Sequence, residues 1–364
     1  MQAEYRTYLG SVRAALWSRE QAESVSLPLC VQQGTGPLVF PVLLQQGMTL
    51  AQADRQQMKA VCVQTMQQQV RLAYTLKTAC EALTNAGIRP VLMKGAGLAA
   101  YYAEPNRRAW SDIDLFVGKE QYHAACAVMR QTFPKALKFD EELDHYKHYN
   151  LIADGISIEM HRVSMSLAHP RDHYAYDRIE RFGMSAQHVR PLRLDGVEVT
   201  VPEPTFNALF VCMHSWEHVL SEGACLRQFC DLALLLHQEA KTIDRARLKR
   251  WLRRLSMTDV WRLYMTVLVD YLGLRPDEAP LYDRYHGTQA ERLINDLLGG
   301  RLTSIKEERT APSNRWRRKV HTMQQRLRNA QRIAPYSNAY ARHMRAETIL
   351  HGATRLFAKD RHWE

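Results

Sequence analysis

The chain has 364 residues, of which 46% are apolar and 24% are charged, and its formal net charge is +11. This length suits two or three structural units, and the composition is typical of an ordinary globular protein. No apolar stretch is long enough to cross a bilayer, so we predict no membrane span.

The first residues, MQAEYRTYLGSVR, contain an early Glu and no apolar core followed by a small-residue cleavage site. We therefore predict no secretory signal. The seven cysteines include no Cys-x-x-Cys pair, and the closest two are Cys225 and Cys230 in CLRQFCDLALLL. This pattern favours structural thiols in a reducing compartment over disulfides or a zinc site, and hence a cytoplasmic location.

The first half of the chain alternates helical and strand patterns. Residues 1–50 predict a helix, a loop and a short apolar segment, PLVFPVLLQQG, which Pro and Gly interrupt. A long helix is predicted over 53–86, where Asn85 and Gly87 end it. There follow a short buried strand in IRPVLMKG, a helix in GLAAYYAEP, a strand in SDIDLFVG and a helix in KEQYHAACAVMRQTF.

Two hairpins precede a helical second half. The strands HYKHYNLIAD and ISIEMHR flank Asp154-Gly155, and HVRPLRL and VEVTVP flank Asp195-Gly196. After Pro204 the pattern is helical. We predict an N-terminal helical segment, an α/β domain, a helical domain and a basic helical arm, over residues 1–60, 61–202, 203–300 and 301–364.

Alternation along two of these strands groups the acidic side chains. In SDIDLFV, Asp112 and Asp114 share one face, and the opposite face is aliphatic. In ISIEMHR, Glu159 and His161 likewise lie opposite an aliphatic face. If the two strands are neighbours in one sheet, three carboxylates converge.

Three converging carboxylates need a compensating cation. Mg²⁺ fits this requirement, as does Mn²⁺, because such ions take oxygen ligands and keep positions for phosphate oxygens and water. A pair of such ions activates an attacking oxygen and neutralises a pyrophosphate leaving group. The alternative is an exposed polar strand face that holds no metal.

A glycine-containing turn lies upstream of the acids. Lys94, Gly95 and Ala96 lie between the predicted buried strand and the following helix. Glycine permits close backbone approach, and a helix N-terminus offers free N–H groups to phosphate. Asn-Arg-Arg follows this turn at 106–108, and Ser-Asp-Ile-Asp follows at 111–114. The order of the three segments is a more specific signal than any one segment alone.

The segment KGAGLAAYYAEPNRRAWSDIDLFV resembles the motif of the polymerase-beta-like nucleotidyltransferase superfamily, in which a strand, a glycine turn and a helix precede Asp-x-Asp. It departs from the usual Gly-Gly or Gly-Ser turn in having Lys94-Gly95. With Arg108 four residues before Asp112, this variant is similar to an uncharacterised bacterial nucleotidyltransferase family. Toxin-type nucleotidyltransferases share a similar arrangement. The resemblance extends through IEMHR, His214 and LRQFCDLALLL, over roughly residues 70–240.

The resemblance implies an α/β (α+β) fold, with a small mixed sheet of polymerase-beta nucleotidyltransferase type flanked by helices and an all-helical C-terminal region. Residues 61–202 would be the catalytic domain. The implied reaction is the Mg²⁺-dependent transfer of a nucleoside monophosphate from a nucleoside triphosphate, for example ATP, to an acceptor. That acceptor would be a small molecule, a protein or an RNA.

The resemblance also implies roles for individual residues. Asp112, Asp114 and Glu159 would be the catalytic residues and the metal ligands. The nucleotide would contact Lys94, Gly95, Ala96, Arg108, Ser111 and His161. Three bland alternatives stay open: a salt bridge between Lys94 and an acid, a surface loop charge at Arg108, and a hydrogen bond from His161 to Glu159.

The C-terminal arm carries most of the net charge. Between Arg301 and Arg345 there are twelve Lys and Arg residues against two Glu, a surplus of ten. This charge suggests contact with RNA or another polyanion, although charge alone slightly favours the alternative, a solvated basic helix with no partner. A second functional hypothesis follows, in which an inactive nucleotidyltransferase-fold protein binds nucleotide or RNA through this arm. A phosphodiesterase ranks last because its usual His-Asp pair is missing.

Several other polar residues have weaker interpretations. His214 and His218 share a helix face, and we favour helix packing or lining of the nucleotide cleft over a zinc site. Asp231 is expected to cap its helix or to pair with a neighbour such as Arg227. His145 and His148 precede a strand, and their spacing does not favour metal binding.

Overall fold

The computed structural model describes residues 1–18, 22, 25–139, 147–167, 170–194, 197–220, 223–302 and 315–357. Within these ranges the chain forms fourteen α-helices and seven strands. The strands are β1 Val91–Met93, β2 Asp112–Phe116, β3 Leu137–Lys138, β4 His148–Ala153, β5 Ile156–His161, β6 Arg190–Leu194 and β7 Val197–Val201.

The helices fall into an N-terminal group, a group around the sheet and a C-terminal series. The first seven are α1 Ala3–Trp17, α2 Leu27–Gln32, α3 Gly36–Gln45, α4 Gln52–Asn85, α5 Gly95–Ala99, α6 Gly118–Thr132 and α7 Pro170–Gly183. The C-terminal series is α8 Pro204–Leu220, α9 Leu226–Gln238, α10 Arg245–Arg254, α11 Thr258–Asp270, α12 Gly287–Leu298, α13 Arg315–Ile333 and α14 Asn338–Phe357.

The seven strands form one mixed sheet in the order β3-β4-β5-β2-β1-β7-β6. β2 pairs with β5 and β1 pairs with β7 in parallel, whereas the other neighbours are antiparallel. A mixed sheet flanked by helices and followed by a helical region confirms the predicted fold class.

One face of the sheet is closed by α4 and α6. Aliphatic residues of β2 and β5 form one buried cluster there with apolar side chains of both helices. The cluster includes Ile113 and Leu115 of β2, Ile158 of β5, Leu76 of α4 and Met129 of α6. These are the faces that strand alternation predicted to be buried. The opposite face carries the acids and is turned toward the larger core, which is built mainly from α8 to α12 and also includes Met93 of β1.

The two predicted hairpins are both present as antiparallel strand pairs. In the first, Asp154 and Gly155 have φ of 49° and 77°, which is the left-handed backbone that a two-residue hairpin turn requires. Ala153 therefore pairs with Ile156, and the register continues to His148 and His161. In the second, β6 pairs with β7, while the Asp195-Gly196 turn lies outside the described residues.

The N-terminal apolar segment differs from the predicted interrupted stretch. It forms helix α3, with one Pro near its start and Pro41 inside it. A proline near a helix start costs little because the N–H it lacks would have no intrahelical partner. Val39, Phe40 and Leu43 are buried, and this apolar burial offsets the hydrogen bond lost at Pro41.

The C-terminal helices pack on the same core as the N-terminal ones. Ile333 and Tyr336, at the α13 to α14 connection, belong to the core cluster that also contains Tyr8 and Leu9 of α1. Arg332 donates hydrogen bonds to the carbonyls of Val219 and Leu220 at the end of α8. Among the described residues, no helix is both long and apolar enough to cross a membrane.

Candidate functional site

The acid-bearing strands β2 and β5 are direct neighbours in the sheet. They run parallel, and their register pairs Asp112 with Ser157 and Asp114 with Glu159. Paired residues on adjacent strands project from the same face. The three carboxylates of Asp112, Asp114 and Glu159 therefore share one face, as the strand patterns predicted.

Asp114 is the centre of this group. Its side chain is fully buried, and its Oδ1 atom lies 2.8 Å from Lys94 Nζ and 2.9 Å from His161 Nε2. His161 Nε2 also lies 3.1 Å from Glu159 Oε2, so this imidazole bridges two of the acids. Two of the structural alternatives are thus present in this structure: Lys94 pairs with an acid, and His161 is hydrogen-bonded to Glu159.

The carboxyl groups respond differently to this setting. Burial raises the pKa of Asp112, and the nearby charge of Asp114 raises it further. Burial also opposes the charge on Asp114, but Lys94 and His161 outweigh it and hold the Asp114 pKa well below its ordinary value. Burial likewise opposes the charge on Glu159, but the hydrogen bond and charge of His161, together with the charge of Lys94, lower its pKa. One acid is thus firmly ionised beside another that resists ionisation.

The cationic partners are tuned by the same acids. Burial disfavours the charged form of Lys94, but Asp114, Asp112 and Glu159 together raise its pKa above the ordinary value. Burial likewise opposes the charge on His161, and its hydrogen bonds to Asp114 and Glu159 raise its pKa nonetheless. Lys94 and His161 therefore balance part of the acidic charge.

The turn between β1 and α5 has an unusual backbone. Lys94 has φ of 50° and ψ of −143°, a region that residues other than glycine rarely adopt. Gly95 follows with φ of 36°, and a Cβ atom there would lie 3.3 Å from both the Asp112 carbonyl oxygen and the Trp110 ring. The turn thus brings the Lys94 amine to Asp114 while Gly95 packs against the start of β2.

The three carboxylates fit a divalent metal ion. Asp114 Oδ2 is buried and has no hydrogen-bond partner among the residues that the structure describes. A buried carboxylate oxygen without a donor is costly, and a cation satisfies it. Asp112, Asp114 and Glu159 are oxygen donors of the kind that Mg²⁺ and Mn²⁺ take.

Arg108 and Ser111 lie on the segment that leads into β2. Ser111 is exposed directly before Asp112. Arg108 is buried, and its guanidinium binds the Asp231 carboxylate through two hydrogen bonds of 2.7 and 2.8 Å. The alternative that Arg108 is a charge on a surface loop is therefore wrong. The Arg108 charge nonetheless favours the ionised form of Asp112.

The expected partner of Asp231 is corrected by the same contacts. Asp231 binds Arg108 and the Tyr102 hydroxyl, whereas the Arg227 guanidinium donates to the Ala109 carbonyl. Burial opposes ionisation of Asp231, but Arg108 outweighs it and lowers the pKa. Arg227 is nearer in sequence, but Arg108 reaches Asp231 because the loop before β2 packs against α9.

Helix α8 brings two histidines toward the site. His214 Nε2 lies 3.1 Å from His218 Nε2, and the His214 ring stacks on Phe210 with centroids 5.9 Å apart. Burial lowers the pKa of His214 to about 3, and the charge of Lys94 contributes to this shift. His214 is therefore neutral and lies within electrostatic reach of Lys94, which agrees with both helix packing and lining of the cleft.

His148, whose spacing along the chain did not favour metal binding, lies beside the acids in the structure. It is the first residue of β4 and pairs across the hairpin with His161, with ring centroids 5.0 Å apart. His148, Glu159 and His161 offer ligand atoms that all lie within 4.8 Å of one another. The available signal was the Asp154-Gly155 turn, because a two-residue turn pairs positions equally far from it. His145 lies outside the described residues.

Comparisons with known proteins identify a family for this chain. Among solved structures, an antigenic nucleotidyltransferase-like protein from Paracoccidioides brasiliensis is similar at 14% identity with a TM-score of 0.34, covering 58% of this chain and 94% of that one. No protein of curated function matches the sequence. The sequence model of the family described as uncharacterised nucleotidyltransferase matches residues 21–273, well over half of the chain. The chain therefore belongs to this uncharacterised nucleotidyltransferase family.

Proposed function

We propose that this protein transfers a nucleoside monophosphate from a nucleoside triphosphate to an acceptor, with Mg²⁺ or Mn²⁺ held by Asp112, Asp114 and Glu159. The observation that carries the proposal is the parallel register of β2 and β5, which sets Asp114 directly beside Glu159. Three acids on one sheet face, next to a turn that follows a buried strand, are what nucleotidyl transfer requires of its site.

The reaction forms one bond and breaks another at the α-phosphorus. An acceptor hydroxyl or phosphate oxygen bonds to that phosphorus, the bond to the bridging oxygen breaks, and pyrophosphate leaves. A hydroxyl acceptor also releases its proton to solvent. The divalent ion, when bound, supplies positive charge to the triphosphate and favours the deprotonated acceptor oxygen. Protein catalysis then consists mainly of positioning and charge neutralisation.

The chain's own residues divide this work. Asp112, Asp114 and Glu159 would hold the ion. The backbone at Gly95 and Ala96 would hold the triphosphate. Lys94 carries a positive charge on the same face and, with the ion present, is available to the phosphates. Ser111 directly precedes Asp112, and His161 contacts Asp114 and Glu159. The buried Arg108 contributes its positive charge near Asp112.

We also propose an anionic partner for the basic C-terminal arm. The arm between Arg301 and Arg345 carries a charge surplus of ten, which favours an anionic partner such as RNA. Arg332 of this arm instead holds the end of α8, so that arginine stabilises the fold. RNA contact is tested by filter binding at several salt concentrations, since phosphate contacts weaken as salt rises.

The experiment for the proposed function is a thermal-shift panel of the four ribonucleoside triphosphates, each with and without Mg²⁺. Wild type is compared with the Asp112→Asn/Asp114→Asn double variant. A ligand at one hundred times its dissociation constant stabilises a protein by about 2.7 kcal/mol, so we expect a clear rise with one triphosphate. The double variant is expected to show no rise.

The control variant is Asp54→Asn, which removes an acid of α4 outside the site and should keep the full shift. Release of pyrophosphate from the triphosphate that binds then tests turnover. If the double variant binds and turns over like wild type, the carboxylates do not form the site and the proposal fails. An absent shift with every triphosphate favours the alternative of an inactive protein acting through its basic arm.

A further inference from the structure

Two rows of side chains cross the acid-bearing face where β4, β5 and β2 lie side by side. The first row contains Asn150, Glu159 and Asp114, which the strand register aligns. The second row, two residues along, begins with His148 and His161. The sheet thus places two imidazoles beside the acids, on the side of Glu159 away from Asp112.

The donor atoms in this corner are close enough to share one ion. The ligand atoms of His148, Glu159 and His161 all lie within 4.8 Å of one another. Around a transition ion bound at about 2.0–2.2 Å, neighbouring donor atoms are roughly 3.0–3.6 Å apart. Closing this set around an ion therefore requires the ligand atoms to approach one another by no more than about 1–2 Å.

The contacts of His161 show what an ion would replace. Its Nε2 atom lies 2.9 Å from Asp114 Oδ1 and 3.1 Å from Glu159 Oε2. Two carboxylate oxygens thus converge on one ring nitrogen. An ion bound there would replace these two hydrogen bonds, because imidazole coordinates metal in its neutral form.

We propose that His148, Glu159 and His161 bind a first-row transition-metal dication, such as Mn²⁺, Co²⁺ or Zn²⁺. Two imidazoles and a carboxylate suit these ions, whereas Mg²⁺ prefers oxygen ligands and retains its waters. The inference deepens the proposed function and rests on the same site, since Glu159 belongs to both ligand sets. It adds a second ligand set, selective for transition-metal ions, beside the three carboxylates.

The test uses Mn²⁺ and the full chain without nucleotide. Loss of the free Mn²⁺ signal in electron paramagnetic resonance measures affinity, and pulsed measurements detect coupling to ¹⁴N of a ligating imidazole. We expect ¹⁴N coupling in wild type that persists in a hundredfold excess of Mg²⁺. The His148→Gln variant should bind Mn²⁺ at least tenfold more weakly, while its affinity for Mg²⁺ changes less than twofold.

The matched control is His123→Gln, which removes an exposed histidine of α6 and should leave Mn²⁺ affinity and ¹⁴N coupling unchanged. Mn²⁺ bound without ¹⁴N coupling in wild type overturns the inference, and this measurement needs no variant to fold. Wild-type affinity in His148→Gln also overturns it. Displacement of the bound Mn²⁺ by the hundredfold excess of Mg²⁺ overturns it as well.

The outcomes separate this inference from the proposed function. A Mg²⁺-dependent triphosphate shift without ¹⁴N coupling supports nucleotidyl transfer and overturns the transition-metal assignment. Persistent ¹⁴N coupling without any triphosphate effect supports the transition-metal assignment and leaves nucleotidyl transfer without support.

Discussion

Arg108 and Asp231 form a buried, bidentate ion pair between the loop before β2 and helix α9. The Nε–Oδ1 and Nη2–Oδ2 distances are 2.7 and 2.8 Å, and the side chains are 6% and 2% exposed. The Tyr102 hydroxyl donates a further hydrogen bond of 2.7 Å to Asp231 Oδ1. The pair therefore attaches the segment leading to Asp112 to the helical half of the molecule.

Breaking this pair from one side should destabilise the protein strongly. In Asp231→Asn the carboxylate charge is lost while the Arg108 guanidinium remains buried. Leaving one charge of a buried pair uncompensated costs about 3–5 kcal/mol. We expect a decrease of that size in the free energy of unfolding, measured by urea denaturation.

Two further variants make the test specific to burial. Arg107→Ala removes the neighbouring arginine, whose partner Glu104 is 52% exposed, and should cost less than about 1 kcal/mol. The double variant Arg108→Met/Asp231→Leu removes both charges of the pair and should lose less stability than Asp231→Asn. An Asp231→Asn protein as stable as Arg107→Ala would contradict this account.

Local periodicity in the sequence predicted which acids share one face of the sheet. Alternation in SDIDLFV and ISIEMHR assigned Asp112, Asp114 and Glu159 to polar faces, and the structure pairs these strands directly. Arg108 and Asp231 are 123 residues apart, and their contact depends on how the β2 loop docks on α9. No pattern along the chain carries that information, because tertiary packing alone decides it.

His148 marks a different limit of the sequence reasoning. Its pairing with His161 follows from the two-residue turn at Asp154-Gly155, since both lie the same number of residues from the turn. Counting outward from the turn would have predicted it, whereas spacing along the chain did not. The left-handed backbone of Lys94 was not predictable, because lysine has no preference for that conformation.

Glycine should suit position 94 better than alanine does. Both Lys94→Gly and Lys94→Ala remove the amine that pairs with Asp114, so the electrostatic loss is shared. Only alanine must still adopt a φ of 50°, which costs an L-residue roughly 1–2 kcal/mol. We expect Lys94→Gly to unfold at higher urea concentration than Lys94→Ala, and equal midpoints would show that the backbone at 94 relaxes.

Glu180 should make stability depend on pH. Its side chain is 4% exposed and accepts hydrogen bonds from the Ser164 amide and hydroxyl. Burial raises the Glu180 pKa from 4.5 to about 7. The folded protein therefore keeps a proton that the unfolded chain has lost, so stability falls as pH rises from 4.5 to about 7 and then levels off.

The Glu180→Gln variant isolates this dependence. Glutamine does not titrate, so the difference in unfolding free energy between wild type and variant removes the contribution of all other groups. We expect that difference to shift against wild type by on the order of 3 kcal/mol between pH 4.5 and pH 7.5. Parallel stability curves would show that Glu180 ionises normally in the folded protein.

Asp112→Asn should stabilise the protein in the absence of metal. Burial and the charge of Asp114 both raise the Asp112 pKa, so its ionised form is disfavoured in the folded state. Asparagine has nearly the same shape and carries no charge. In EDTA at pH 8 we expect the variant to gain about 1 kcal/mol in unfolding free energy, which is typical of a favourable single substitution.

The same substitution should remove stabilisation by Mg²⁺ and triphosphate, because an amide is a poorer ligand than a carboxylate. Asp177→Asn is the matched control. Although burial opposes ionisation of Asp177, its hydrogen bond from Lys119 and the charge of Arg181 lower its pKa, so it should lose stability in EDTA and keep the ligand response. If Asp112→Asn is instead less stable than wild type in EDTA, the Asp112 carboxylate stabilises the fold. A gain in unfolding free energy for Asp112→Asn together with a loss for Asp177→Asn would show that the Asp112 carboxylate costs stability. That cost is expected of a residue kept for binding.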